Sequence, residues 1–248
     1  MLLDNLTNVF LAAFLVFFAT SFGSLLILPV SRKDDKMKIV FISFAAGVMT
    51  AAIFEMLNTI RTGADLSTLL AFFAGICFIA IADMVFPHLH SIMRKEPLEK
   101  SAKKTALIVT TVAIHNIPEG FAVASAFAHS LVLGWLIALS IAIQDIPEGL
   151  MVSAPLYSYG LKRRIAIPLG FLSGLFEGLA VAAGYLLLYQ ISHLTPLALS
   201  LSSGAMAYLV FAELLPDAFA EKKHQTAAAA SFFAGLAMPF LISFLVAL

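Results

Sequence analysis

Charge is scarce in this chain. Of its 248 residues only 12% are Asp, Glu, Lys or Arg, while 61% are apolar. An ordinary soluble domain carries about 25% charged and about 45–50% apolar residues. The shortage excludes water as the solvent for most of the surface and points to lipid. Cysteine is almost missing: Cys77 stands alone, which excludes an intrachain disulfide and a thiolate metal cluster. Net charge is formally zero, so the basic surface that nucleic acid requires is absent. The opening residues MLLDNLTNVF hold Asp4 and no Lys or Arg, and so lack the basic n-region of a cleavable signal.

What is present is apolar sequence in long runs. A hydrocarbon core of about 30 Å calls for roughly 20 apolar residues per helix. Eight segments meet that need, at about 8–30, 38–60, 67–90, 104–128, 131–157, 165–189, 196–218 and 226–248. The expected fold class is an all-α integral membrane protein with eight transmembrane helices. The basic residues are one-sided. Of the 15 Lys and Arg, all but Arg61 lie in the connections after segments one, three, five and seven. Short loops rich in Lys and Arg stay in the cytoplasm, so both termini are expected on the extracytoplasmic side of the cell (inner) membrane.

The sequence also repeats. Phe72-Phe73-Ala74-Gly75 opens segment three and Phe232-Phe233-Ala234-Gly235 opens segment eight. Ala46-Gly47-Val48-Met49 of segment two matches Ser203-Gly204-Ala205-Met206 of segment seven, with weaker matches around Gly23 and Gly174 in segments one and six. Segments one to three therefore reappear as six to eight. An odd number of spans separates equivalent helices, so the copies run in opposite directions. Inverted repeats are typical of carriers, whose site lies near mid-membrane where the halves meet.

Segments four and five belong to neither copy, and they carry the chemistry. One reads His115-Asn116-Ile117-Pro118-Glu119-Gly120, the other Gln144-Asp145-Ile146-Pro147-Glu148-Gly149. His115 and Glu119 share a helix face, as do Gln144 and Glu148. Asn116 and Asp145 follow about 100° round the helix, within reach of an adjacent ion. Pro118 and Pro147 cannot donate backbone hydrogen bonds, so each is expected to kink its helix and free a carbonyl. Glu177 adds an acid mid-way along segment six. Intramembrane charges cost several kcal/mol and mark function by default. No Lys or Arg lies at the depth of Glu119, Asp145, Glu148 and Glu177. Two divalent cations would balance the four carboxylates, with Glu119 and Glu148 placed to bridge them. Carboxylates, one imidazole and two amides suit zinc, iron(II), manganese(II), cobalt or cadmium, and disfavour copper(I).

These motifs resemble those of the ZIP (Zrt/Irt-like protein) metal transporters, in particular the bacterial GufA-like branch, over essentially all eight spans. The resemblance implies a single ZIP-type transporter domain over residues 1–248 in a 3+2+3 arrangement. Helices one to three fall at about 8–90, four and five at about 104–157, and six to eight at about 165–248. It implies that His115, Gln144, Glu119 and Glu148 hold one metal. Asn116, Asp145 and Glu177 would complete a second, with the two glutamates shared. It also implies a cytoplasmic exit at Asp83, His88 and His90, a place for Glu213 on the metal pathway, and a homodimer. The metal is substrate, and no cofactor is expected. The sequence departs from the family pattern at Gln144, where many members have His, at Gly178 and at Ala212.

The expected function is metal entry into the cytoplasm by alternating access. A metal-selective channel shares every one of these residues. An intramembrane metal-dependent hydrolase would also need substrate-fixing groups. Ser125 and Ser153 are the hydroxyls near the motifs, and no Arg lies at that depth.

Overall fold

The computed structural model describes residues 2–28, 35–85, 102–158 and 161–246. Eight long helices cross the bundle: α1 (Leu2–Leu25), α2 (Asp35–Ile60), α3 (Leu66–Val85), α4 (Ala102–His129), α5 (Leu131–Ser158), α6 (Arg163–Gln190), α7 and α8 (Gln225–Val246). Helix α7 is composite, with Thr195–Tyr208 α-helical, Leu209–Leu214 a π-helix and Leu215–Ala218 α-helical again. Among the described residues there is no strand. Seven of the helices are apolar and long enough to cross a membrane without qualification. Helix α4 carries the polar run but has 28 residues, about 40 Å at 1.5 Å per residue.

Local chemistry sets the ends. Asp65 Oδ1 accepts the Thr68 N–H at 3.0 Å while Thr68 Oγ1 accepts the Asp65 N–H at 2.9 Å, a reciprocal cap that starts α3. The Ser67 hydroxyl also donates to Asp65 Oδ1, and this contact, with the Thr68 N–H, holds the carboxyl below its usual range. Ser130 alone separates α4 from α5, and its hydroxyl accepts the Leu133 N–H at 3.2 Å. In α7 the Leu215 N–H reaches back to the Val210 carbonyl. Pro216, next in the chain, has no N–H to donate, and an α-helical ladder cannot run unbroken through it.

Large apolar side chains point outward. Phe10, Phe14, Phe18 and Phe22 form an exposed stripe along α1, with the Phe14–Phe18 and Phe18–Phe22 rings stacked at 6.1 and 6.4 Å. Only Thr68, Gly75 and Ile79 of α3 are buried. Patches of this extent are not left in water by soluble proteins; here they face lipid.

The repeat is visible in the packing. Helix α1 packs on α5 as α6 packs on α4, α2 on α8 as α7 on α3, and α2 on α5 as α7 on α4. Glycines mark the crossings and fix the register. A Cβ on Gly47 would strike the Phe232 carbonyl, and one on Gly204 the Phe72 carbonyl. One on Gly75 would strike the Leu201 carbonyl, and one on Gly235 the Phe44 carbonyl. The two FFAG segments thus occupy equivalent places. For α1 and α6 the register differs from the glycine matches in the sequence. A Cβ on Gly149 would meet Thr20 O and Ser24 N, and one on Gly120 would meet Glu177 O and Val181 N. Thr20 is therefore the counterpart of Glu177, and Gly174 instead lies directly against Thr20.

The described glycines that touch another helix do so within two sets. Gly23, Gly120, Gly134, Gly149, Gly170, Gly174, Gly178 and Gly184 join α1, α4, α5 and α6. Gly47, Gly75, Gly204 and Gly235 join α2, α3, α7 and α8. Small residues let backbones approach closely, which is how helices associate in lipid.

A carboxylate site in the bundle core

Helices α4 and α5 run through Pro118 and Pro147, leaving the Ile114 and Ile143 carbonyls without their usual donors. Two residues on, Gly120 and Gly149 admit the backbones of α6 and α1. The neighbouring Glu119 and Glu148 are thereby held where four helices meet. One carboxylate oxygen from each of Glu119, Asp145 and Glu148 lies within 4.8 Å of the others. Gln144 Nε2–H donates to Glu119 Oε1 at 3.0 Å, and the Thr20 hydroxyl donates to Glu177 Oε2 at 3.2 Å. Asn116 lies alongside Glu148 and Glu177. Six residues expected from the motifs, Asn116, Glu119, Gln144, Asp145, Glu148 and Glu177, are therefore gathered in one place.

Their polar atoms are poorly satisfied by the protein. Both Asp145 carboxylate oxygens, both Asn116 amide atoms, Glu119 Oε2, Gln144 Oε1 and Glu177 Oε1 are buried without a hydrogen-bond partner. Each such atom costs about 1–3 kcal/mol, more when charged. A set of buried oxygens with no cationic side chain among them is matched by a hard or borderline divalent cation.

His115 departs from this group. Its Nε2 lies 3.5 Å from Glu213 Oε1 and 3.7 Å from Asp83 Oδ1, facing α3 and α7, with Glu148 within electrostatic reach. Asp83, His115 and Glu213 form a second group whose ligand atoms lie within 4.8 Å of one another. The Tyr208 hydroxyl donates to Asp83 Oδ2 at 3.1 Å. Asp83 is expected at the exit and Glu213 on the metal pathway, and here they share one imidazole. His88 and His90 lie outside the described residues. Tyr208 and Thr20 were not expected from the sequence. Tyr208 becomes visible through the π-helix that follows it, Thr20 through the register of the repeat.

Accessibility is graded. Asn116, Gln144, Asp145 and Glu177 are fully buried and Glu119 is 3% exposed. Glu148 is half-buried, and the side chains of His115 and Glu213 are 21% and 16% exposed. On the opposite side of Glu119 a continuous apolar core, including Val16, Met49, Met56, Ile137, Ile141 and Met206, fills the space between the helices. Apolar residues thus pack on the Arg61 side of the site, and the partly exposed His115 and Glu213 lie on the other.

A profile described as ZIP zinc transporter matches residues 87–243. A zinc transporter ZupT of Stenotrophomonas maltophilia (strain K279a) is 38% identical over 220 residues, covering 81% of each chain. One from Chlorobium chlorochromatii (strain CaD3) is 34% identical over 247 residues, covering 90% of this chain and 92% of its own. One from Clostridium perfringens is 33% identical over 264 residues with the same coverage. The chain belongs to the ZIP family. As a ZIP protein it is a multi-pass membrane transporter of divalent metal and not an enzyme.

Proposed function

We propose that this ZIP protein carries zinc, or a chemically close ion such as Fe2+, Mn2+, Co2+ or Cd2+, into the cytoplasm through a two-ion site. The whole chain, residues 1–248, acts as one transport domain of the inner membrane with both termini outside. The observation that carries this reading is the buried cluster of Glu119, Asp145, Glu148 and Glu177, with oxygens unsatisfied and, among the described residues, no Lys or Arg at their depth. Glu119 and Glu148 bridge the ions. Gln144 completes one coordination sphere, while Asn116, Asp145 and Glu177 complete the other. The name zinc transporter ZupT, shared by the relatives cited above, supports zinc as cargo.

Several observations favour a carrier over a channel. The apolar core closes the path on one side while His115, Glu148 and Glu213 are reached from the other. A pore open to both sides would not be so filled. The close glycine crossings tie α1, α4, α5 and α6 into one body and α2, α3, α7 and α8 into another. Sliding one against the other would exchange the open side. The ion then leaves past His115, which hands it to Asp83 and Glu213 on the cytoplasmic side.

Zinc uptake into proteoliposomes tests the site. Glu119→Ala and Glu148→Ala are expected to reduce uptake to that of empty vesicles, while wild-type flux saturates with zinc. Normal uptake in both variants would sink the site, and flux linear in zinc would favour a channel.

A further inference from the structure

Thr20 is buried on α1 and belongs to no motif. Three contacts determine where it sits. Its carbonyl would be struck by a Cβ on Gly149, its Cβ lies 2.8 Å from the place a Cβ on Gly174 would take, and its hydroxyl is 3.2 Å from Glu177 Oε2. The two glycines belong to α5 and α6, so α1 is wedged against both beside the carboxylates. The hydroxyl has a second acceptor, the Val16 carbonyl of its own helix at 3.0 Å. A threonine hydroxyl carries one hydrogen and serves one of the two at a time. Glu177 Oε1 has no hydrogen-bond partner.

From this geometry we infer that Thr20 is a positioning residue for Glu177: its hydroxyl holds Oε2, leaving Oε1 as the single oxygen offered to the ion beside Asn116 and Asp145. The pseudo-two-fold axis supplies the structural reason. Thr20 and Glu177 are counterpart positions in α1 and α6, as Glu119 and Glu148 are in α4 and α5. Counterparts that touch each other lie beside the axis. The repeat places one ligand and one hydrogen-bond donor at this point, and they hold each other. Partners that orient a metal ligand commonly change metal affinity by about 10–100-fold when removed.

The inference rests on the two-ion reading, so the experiment includes a variant that tests that reading alone. Purified protein in detergent is titrated with zinc, with stoichiometry and both affinities read by calorimetry. Wild type is expected to bind two zinc ions per chain and Glu177→Ala one. Thr20→Val keeps the shape and removes the donor, and is expected to weaken the second zinc about tenfold or more while leaving the first unchanged. Thr20→Ser is expected to remain within about twofold of wild type at both. Should Thr20→Val not be recovered folded, Thr20→Cys, with its weak donor, carries the same expectation. The exchange variant Thr20→Glu/Glu177→Thr is expected to regain part of the second affinity that Glu177→Thr loses.

Wild-type affinities in Thr20→Val overturn the positioning role. So does a loss in Thr20→Val that Thr20→Ser shares, since packing of the side chain would then be the cause. Two zinc ions in Glu177→Ala overturn the two-ion reading itself, whatever the Thr20 variants do.

Discussion

Gly120→Ala adds one methyl group to a helix, and its effect can be worked from distances. Alanine is the better helix former by about 1 kcal/mol, so by propensity alone the variant should be more stable. Packing decides otherwise. The new Cβ would lie 2.8 Å from the Ala180 Cβ and 3.1 Å from the Val181 N, with the Glu177 carbonyl closer still. Carbon atoms in contact prefer about 3.5–4.0 Å, so the shortfall is roughly 1 Å. The obstacles are backbone and a Cβ, which cannot turn aside, and α6 must withdraw from α4 as a body. Overpacking of this kind costs about 1–3 kcal/mol, which a bundle of this size survives. The proposed metal site does not, because metal–ligand distances hold to within about 0.2 Å and Glu177 moves with α6. Zinc uptake in proteoliposomes is expected to require a 10–100-fold higher zinc concentration, with the protein still folded by size exclusion and circular dichroism. Gly63→Ala is the control, since nothing lies within 4 Å of its Cβ, and it should transport normally. Wild-type zinc affinity and uptake in Gly120→Ala would refute the reasoning.

Other perturbations separate the two groups of ligands. Asp145→Asn removes a buried carboxylate both of whose oxygens lack hydrogen-bond partners, so zinc stoichiometry measured after equilibrium dialysis should fall from two per chain to one. Tyr208→Phe removes the donor to Asp83 Oδ2; hydrogen bonds to charged groups contribute about 1.5–3 kcal/mol, and turnover should drop several-fold while core-site affinity stays unchanged. Pro216→Ala lets α7 adopt a regular α-helical ladder, which would turn Glu213 by up to about 100° from His115. Its expected signature is slowed zinc release in single-turnover measurements, with zinc binding intact.

The architecture was legible because lipid imposes a coarse rule on sequence. Runs of about 20 apolar residues and one-sided basic loops are read directly. The FFAG pair at Gly75 and Gly235 showed the repeat because both glycines meet the same constraint, a backbone passing within touching distance. The match at α1 and α6 was misplaced for the converse reason. Thr20 and Glu177 are counterparts in space but share no chemistry, and Gly174 drew attention only because glycine is easy to match. The clustering of Asn116, Glu119, Gln144, Asp145 and Glu148 was legible from two copies of one motif. The partner of His115 was not. Helical spacing places His115 and Glu119 on one face, but an imidazole one turn from the carboxylates can face either them or α3 and α7, and only packing decides. The π-helix of α7 was equally hidden, since Pro216 announces a broken ladder without saying how the chain relieves it.

The fold is two-fold and its chemistry is not, and that difference sets the two ends of the bundle apart. Glu119 and Glu148 are alike across the axis, which suits ligands shared by two ions. The other polar positions are unequal: the counterpart of His115 is Gln144, that of Asn116 is Asp145, and that of Thr20 is Glu177. The inequality widens away from the centre. By the register of the FFAG segments the counterpart of Asp83 in α8 is Ser243, which offers no charge. One end of the bundle therefore holds an acid pair around an imidazole, while the core at the other end is closed by Val16, Met56 and Ile141. A symmetric scaffold allows the bundle to open to either side at similar cost. On the proposed reading, ligands at one end only ease passage of the ion there in both directions, and mutations at Asp83, His115 or Glu213 should slow release at that end without abolishing binding at the centre.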